Sequence, residues 1–102
     1  MDKIFYPESV AVIGVSEQPD NLAAGIIRNL IAFGYAGAIH AVGLGAGQVH
    51  DIPIVTSVDA LPDGVDLAVI LIPAEMVPDV LTACGRKGIR WAVIESGGFS
   101  EF

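Results

Sequence analysis

Cysteine, positive charge and long apolar runs are all scarce in this 102-residue chain, and each scarcity excludes something. The single cysteine, Cys84, rules out an internal disulfide and fits a reducing, cytoplasmic setting. Only five residues are basic (Lys3, Arg28, Arg86, Lys87 and Arg90) against 12 acidic ones, a formal net charge of −7. A nucleic-acid surface needs a basic patch to neutralise phosphates, so nucleic acid is excluded as a partner. The same scarcity constrains any small polyphosphate ligand, which has to be held largely by backbone N–H groups and a helix dipole. No apolar run approaches the ~18 residues of a membrane span. The opening Met1-Asp2-Lys3-Ile4-Phe5-Tyr6-Pro7 has no apolar h-region and no small-residue cleavage site, so a secretory signal is absent too.

What the chain does have is short apolar runs in quantity: 53% of its residues are hydrophobic, punctuated by 12 glycines and six prolines. Such runs, apolar on both faces, suit the buried strands of a parallel sheet. Residues 9–13, Ser9-Val10-Ala11-Val12-Ile13, predict a first strand that enters a turn at Gly14. Asp20 or Asn21 caps the helix that follows, where Ala23, Ile26, Ile27, Leu30 and Ile31 recur at helical spacing and Gly34 stops it. Residues 38–42 predict strand two, 43–48 a flexible connector with three glycines, and 52–55 a short edge strand that tolerates Pro53. Residues 57–61 fit one helical turn, and 66–72 give the strongest strand signal. A second helix follows with Pro78 in its first turn, an inner face of Val77, Val80, Leu81 and Cys84, and Gly88 as its cap. Residues 89–94 form strand five.

Strands alternating with helices through short loops predict one α/β domain over residues 1–102. It is a Rossmann-like, doubly wound parallel sheet of five strands, order 3-2-1-4-5. Its switch point lies between strands one and four, and ligand belongs across the C-terminal ends of the strands there. Four turn-forming stretches converge on that edge: residues 14–19, 42–45, 72–75 and 95–98. The Ser96-Gly97-Gly98 turn after strand five predicts a further helix, so the chain reads as the N-terminal piece of a longer polypeptide.

The dinucleotide fingerprint G-x-G-x-x-G is absent, as is the P-loop, and Val42-Gly43 stands where an NAD site puts an acidic residue for the ribose. An NAD(H)-binding or ligand-free regulatory Rossmann domain remains an alternative on these residues alone. No catalytic residue is predicted. Ser16 lacks a nucleophile elbow and a triad partner, and His40 and His50 show no metal-ligand spacing. Cys84 and Trp91 read as core, and Glu95 divides evenly between a cleft carboxylate and a solvated acid.

The stretch Phe5-Tyr6-Pro7-Glu8-Ser9-Val10-Ala11-Val12-Ile13-Gly14-Val15-Ser16 resembles the opening of the CoA-binding domain of NDP-forming acyl-CoA synthetases. ADP-forming acetyl-CoA synthetases and the alpha subunit of succinyl-CoA synthetase belong to that group. The resemblance continues through Ile27-Arg28-Asn29-Leu30, Val65-Asp66-Leu67-Ala68-Val69-Ile70, Ile72-Pro73-Ala74, Val77-Pro78, Cys84-Gly85 and Ser96-Gly97-Gly98-Phe99-Ser100-Glu101. It implies a CoA or acyl-CoA site built from Gly14, Val15, Ser16, Glu17, Gln18 and Pro19 around the phosphates. Val42 and Gly43 follow strand two, Pro73 and Ala74 lie beside the ligand, and Ile94, Glu95 and Ser96 sit near the pantetheine arm. It further implies partner synthetase domains or a subunit carrying a phosphohistidine and an ATP-grasp unit, through which alone ATP and ADP enter. The complete enzymes turn acid, CoA and ATP into acyl-CoA, ADP and phosphate. After strand two this sequence departs from the family pattern, with Gly43-Leu44-Gly45-Ala46-Gly47 in place of an Asn-Pro-Lys-like segment whose lysine meets CoA phosphate.

Overall fold

The structure, a computed structural model, describes residues 6–95. Its centre is β1 (Ser9–Ile13), a β-branched run whose last four residues are buried. Strand β1 pairs in parallel with β2 (Ala38–Val42) on one side and β5 (Leu67–Ile70) on the other. Beyond β2 lie β4 (Ile52–Val55) and then β3 (Gly47–Val49); beyond β5 lies β6 (Trp91–Ile94). The sheet order is β3-β4-β2-β1-β5-β6.

The five predicted strands therefore take the predicted order, and the structure adds one more. Within the expected connector, residues Gly47–Val49 pair antiparallel with β4, making β3 the edge and moving Ile52–Val55 one place inward. Glycine content signals a loop locally, but pairing with β4 is a non-local gain that overrides it. The hairpin turn between them is His50-Asp51, both at positive φ (53° and 70°), which a two-residue type I′ connection requires. Strands β5 and β6 are also shorter than the apolar runs that contain them: Leu71 and Ile72 are buried beyond the last paired residue of β5.

Two helices cover the sheet, one on each face. Helix α1 (Leu22–Ala32) is capped by Asn21, whose Oδ1 accepts the Ala24 N–H at 2.7 Å. It ends at Gly34 (φ +79°), where the Tyr35 and Gly34 N–H groups return to the carbonyls of Leu30 and Ile31. Its Ala23, Ala24 and Ile27 pack on Val10, Val12, Ala41, Ile54 and Leu67. A fully buried isoleucine such as Ile27 contributes about 1.5–3 kcal/mol. Helix α2 (Val77–Arg86) follows a 3-10 turn at Ala74–Met76, carries Pro78 in its first turn and ends at Gly88 (φ +77°) by the same wrapped cap. It buries Cys84 against Ala11, Ile13, Ala68 and Ile70, with Val77, Val80 and Ala83 at the margin. Leu81, expected on that inner face, is 39% exposed instead, because the buried arc runs through Ala83 and Cys84.

The N-terminal ends of the strands are tied down: Tyr35 donates its hydroxyl to the Pro7 carbonyl at 2.7 Å, and the Glu8 N–H goes to Asp66 Oδ2 at 2.9 Å. With that end fastened, the opposite end carries the loops that form a site. Among the described residues no helix is long and apolar enough to cross a membrane.

Candidate functional site

At the C-terminal edge of β1, β2, β4 and β5 the loops enclose a cleft of about 360 Å³. Its walls are residues 13–16, 42–45, 56–58 and 71–73, with Asn21, Met76 and Val80. The volume falls within the ~300–1,000 Å³ of small-molecule sites. Two glycines set its floor. A Cβ at Gly14, which has φ +108°, would run into the Leu71 carbonyl oxygen, and one at Gly43 would run into the Val15 carbonyl oxygen. Backbone meets backbone at both places, so neither position has room for a side chain.

The donors at this floor are already engaged. The Gly14 and Val15 N–H groups both go to the Val42 carbonyl at 2.9 Å, and the Gly43 N–H goes to Val55 at 2.9 Å. These bonds extend the sheet beyond its paired strands, and they leave ligand contact to the loops above. Asn21 braces that region. While its Oδ1 caps α1, its Nδ2 donates to the Gly14 carbonyl at 3.1 Å, which fastens the helix N-terminus over the β1 turn. The positive end of the α1 dipole thus faces a cleft otherwise lined by Val15, Val42, Val58, Leu71 and Ile72.

The predicted site residues divide into two groups. Gly14, Val15, Ser16, Val42, Gly43 and Pro73 all line the cleft. Glu17 turns aside, its Oε2 accepting the Gln48 N–H of β3 at 3.0 Å, and the Gln18 N–H folds back to Ser16 Oγ at 3.3 Å. Pro19 and Glu95 line a separate shallow groove with Asp20 and Arg28. Ala74 opens the 3-10 turn, and Ile94 ends β6 at 41% exposure; neither lines the cleft. Ser96 lies outside the described residues. Sequence reasoning missed Asn21 as a wall and missed the segment at Thr56, Ser57 and Val58. The signal for the latter was available: β4 runs parallel to β2, so its C-terminal end reaches the same edge.

Among the described residues the lining carries no charge, and the cations at the C-terminal end of α2 are engaged elsewhere. Arg86 pairs with Asp59 and Lys87 with Asp63, each at 3.0 Å. Groups with shifted titration lie away from the cleft: burial holds the His40 imidazole below its ordinary pKa and raises the Cys84 thiol. Burial also raises Tyr35, with Asp66 and Glu8 adding to it. Among the described residues no cluster of His, Cys, Asp or Glu is placed to hold a metal. The chemistry on offer is binding by shape, apolar contact, backbone and a helix N-terminus.

A family model described as a CoA-binding domain matches residues 8–101. The alpha subunit of the ADP-forming acetate–CoA ligase I of Pyrococcus furiosus is 42% identical over 105 residues, covering 99% of this chain and 23% of that protein. The ADP-forming acetate–CoA ligase II of Archaeoglobus fulgidus is 43% identical over 98 residues, covering 96% of this chain and 15% of its own length. Among solved structures, the apo dinucleotide-forming acetyl-coenzyme A synthetase 1 of Candidatus Korarchaeum cryptofilum superposes with a TM-score of 0.89 at 33% identity. That match covers 98% of this chain and 22% of the other. The chain thus spans less than a quarter of the length of these relatives.

Proposed function

The chain belongs to the CoA-binding domain family, and from that membership we propose that its cleft takes CoA or acyl-CoA as one domain of an ADP-forming acyl-CoA synthetase. The observation that carries this reading is the convergence of four strand-end loops on one uncharged cleft beneath the N-terminus of α1. In this reading the loop at residues 14–19 wraps the diphosphate, with the Ser16 hydroxyl in the cleft wall. Pro73, in the cleft wall, flanks the ligand. The apolar walls at Val58, Leu71 and Met76 suit the adenine and pantetheine portions, which carry no charge.

Among the described residues the cleft lining holds no titratable side chain. Acyl transfer, phosphorylation and the handling of ATP and ADP belong to partner domains or a partner subunit of the synthetase, which acts in the cytoplasm. Against an NAD(H) site stand Val42 and Gly43 at the end of β2, where a ribose-binding carboxylate belongs. Calorimetry separates the two. Heat on titration with CoA that exceeds the response to NAD supports the reading; a folded domain silent to millimolar CoA overturns it.

A further inference from the structure

Leu44 lines the cleft and is nevertheless 88% exposed, the most open large apolar side chain among the described residues. It belongs to neither cluster of the core, so the fold itself gains nothing from a leucine there. The short segment that carries it is held at both ends. The Gly43 N–H goes to the Val55 carbonyl at 2.9 Å, and the Gln48 N–H to Glu17 Oε2 at 3.0 Å. An apolar side chain fixed at the wall of a cavity, and packed on no core residue, leaves water only when something fills the cavity.

Register identifies the part of a ligand that reaches it. Val42 pairs with Val55 in the β2–β4 ladder, so Leu44 and Ser57 each stand two residues beyond one pair. Thr56 and Ser57 line the cleft too, and their hydroxyls engage no protein group. Ser57 even holds the cap position of its 3-10 turn without capping it. In a doubly wound sheet, phosphates lie at the N-terminus of the first helix and the ribose at the end of the second strand. A ligand with its diphosphate at the N-terminus of α1 therefore brings its nucleoside to the corner after β2. We propose that Leu44 is a ligand-binding residue that covers the base of the nucleoside, with the Thr56 and Ser57 hydroxyls at its polar edge. The proposal rests on the cleft being the CoA site, and it assigns the nucleoside half of that ligand an uncharged contact.

The test is calorimetry with CoA on the 102-residue chain and its variants, and displacement of CoA by its nucleotide half, adenosine 3′,5′-bisphosphate. Leu44→Ala is expected to weaken both ligands by a common factor of about 5- to 20-fold. Leu44→Met, which keeps the apolar bulk, is expected to bind both as the wild type does. All three proteins should melt together, because Leu44 packs on no core residue. Thr56→Val with Ser57→Ala is expected to weaken both ligands by about 3- to 10-fold; unchanged affinity there overturns the contact at the edge. CoA binding by Leu44→Ala within about twofold of the wild type overturns the proposal. So does a loss on CoA that leaves the bisphosphate unchanged, or a bisphosphate that fails to displace CoA. Each of these results leaves the CoA reading intact. A folded wild-type chain that binds neither ligand overturns that reading and the proposal together.

Discussion

Asn21 Nδ2 donates to the Gly14 carbonyl at 3.1 Å while Asn21 Oδ1 accepts the Ala24 N–H at 2.7 Å. One side chain thus joins the turn after the central strand to the first turn of α1, and it does so at the wall of the cleft. Replacing it separates the two bonds. Asn21→Ala loses both and is expected to destabilise the domain by about 1–2 kcal/mol, while Asn21→Asp keeps the cap and loses only the bond to Gly14. Urea unfolding followed by circular dichroism should place Asn21→Asp between Asn21→Ala and the wild type. Equal losses in the two variants would mean the cap contributes nothing, and an Asn21→Asp variant as stable as the wild type would mean the same of the bond to Gly14.

The glycines divide by what surrounds them. Gly14→Ala and Gly43→Ala drive a methyl group into the carbonyl oxygens of Leu71 and Val15, and at Gly14 the positive φ adds backbone strain. Each is expected to cost more than about 3 kcal/mol or to prevent folding, because backbone cannot step aside as a side-chain tip can. Gly25 and Gly85 sit within helices and face open space at the Cβ position or a distant Arg28 side chain at 4.0 Å. Alanine at either should stabilise by about 0.5–1 kcal/mol. Thermal melts of the four variants should therefore show shifts of opposite sign.

The same contrast explains what was legible in the sequence. Periodicity and caps are local signals, and Asn21, Gly34, Pro78 and Gly88 stand at the helix ends where the sequence placed caps or breaks. The strand order followed from crossover handedness acting on those elements. Strand β3 was invisible because its residues favour a strand only once Gln48 lies opposite Pro53 and its N–H meets Glu17, a contact 31 positions away. The site was half legible for a related reason. Strand ends marked the walls at Gly14, Val42 and Pro73, but nothing local in Glu17 says that it points away from the cleft.

The hairpin turn offers an independent check on that added strand. His50 and Asp51 both hold positive φ, a region that costs an L-residue roughly 1–2 kcal/mol and glycine much less. Replacing the pair with Asn-Gly, the preferred type I′ sequence, is expected to stabilise by about 0.5–1 kcal/mol. Slower amide exchange at Val49 and Ile52 is the local readout. Unchanged exchange there would mean the β3–β4 pairing is not limited by its turn.

His40 supplies the pH dependence. It pairs in register with Ala11 on the central strand, and burial disfavours its charged form, lowering the pKa in the folded state. The unfolded chain, with a histidine pKa near ~6.5, then binds the proton more readily than the native one. The native preference for neutral imidazole contributes stability that is fully present above the unfolded value and is lost as pH falls through the lowered folded one. Carboxylate titration also acts in acid, so the diagnostic is a difference. Between pH 7 and pH 5, His40→Gln should lose less stability than the wild type in paired urea titrations, and parallel losses would remove His40 from the acid response.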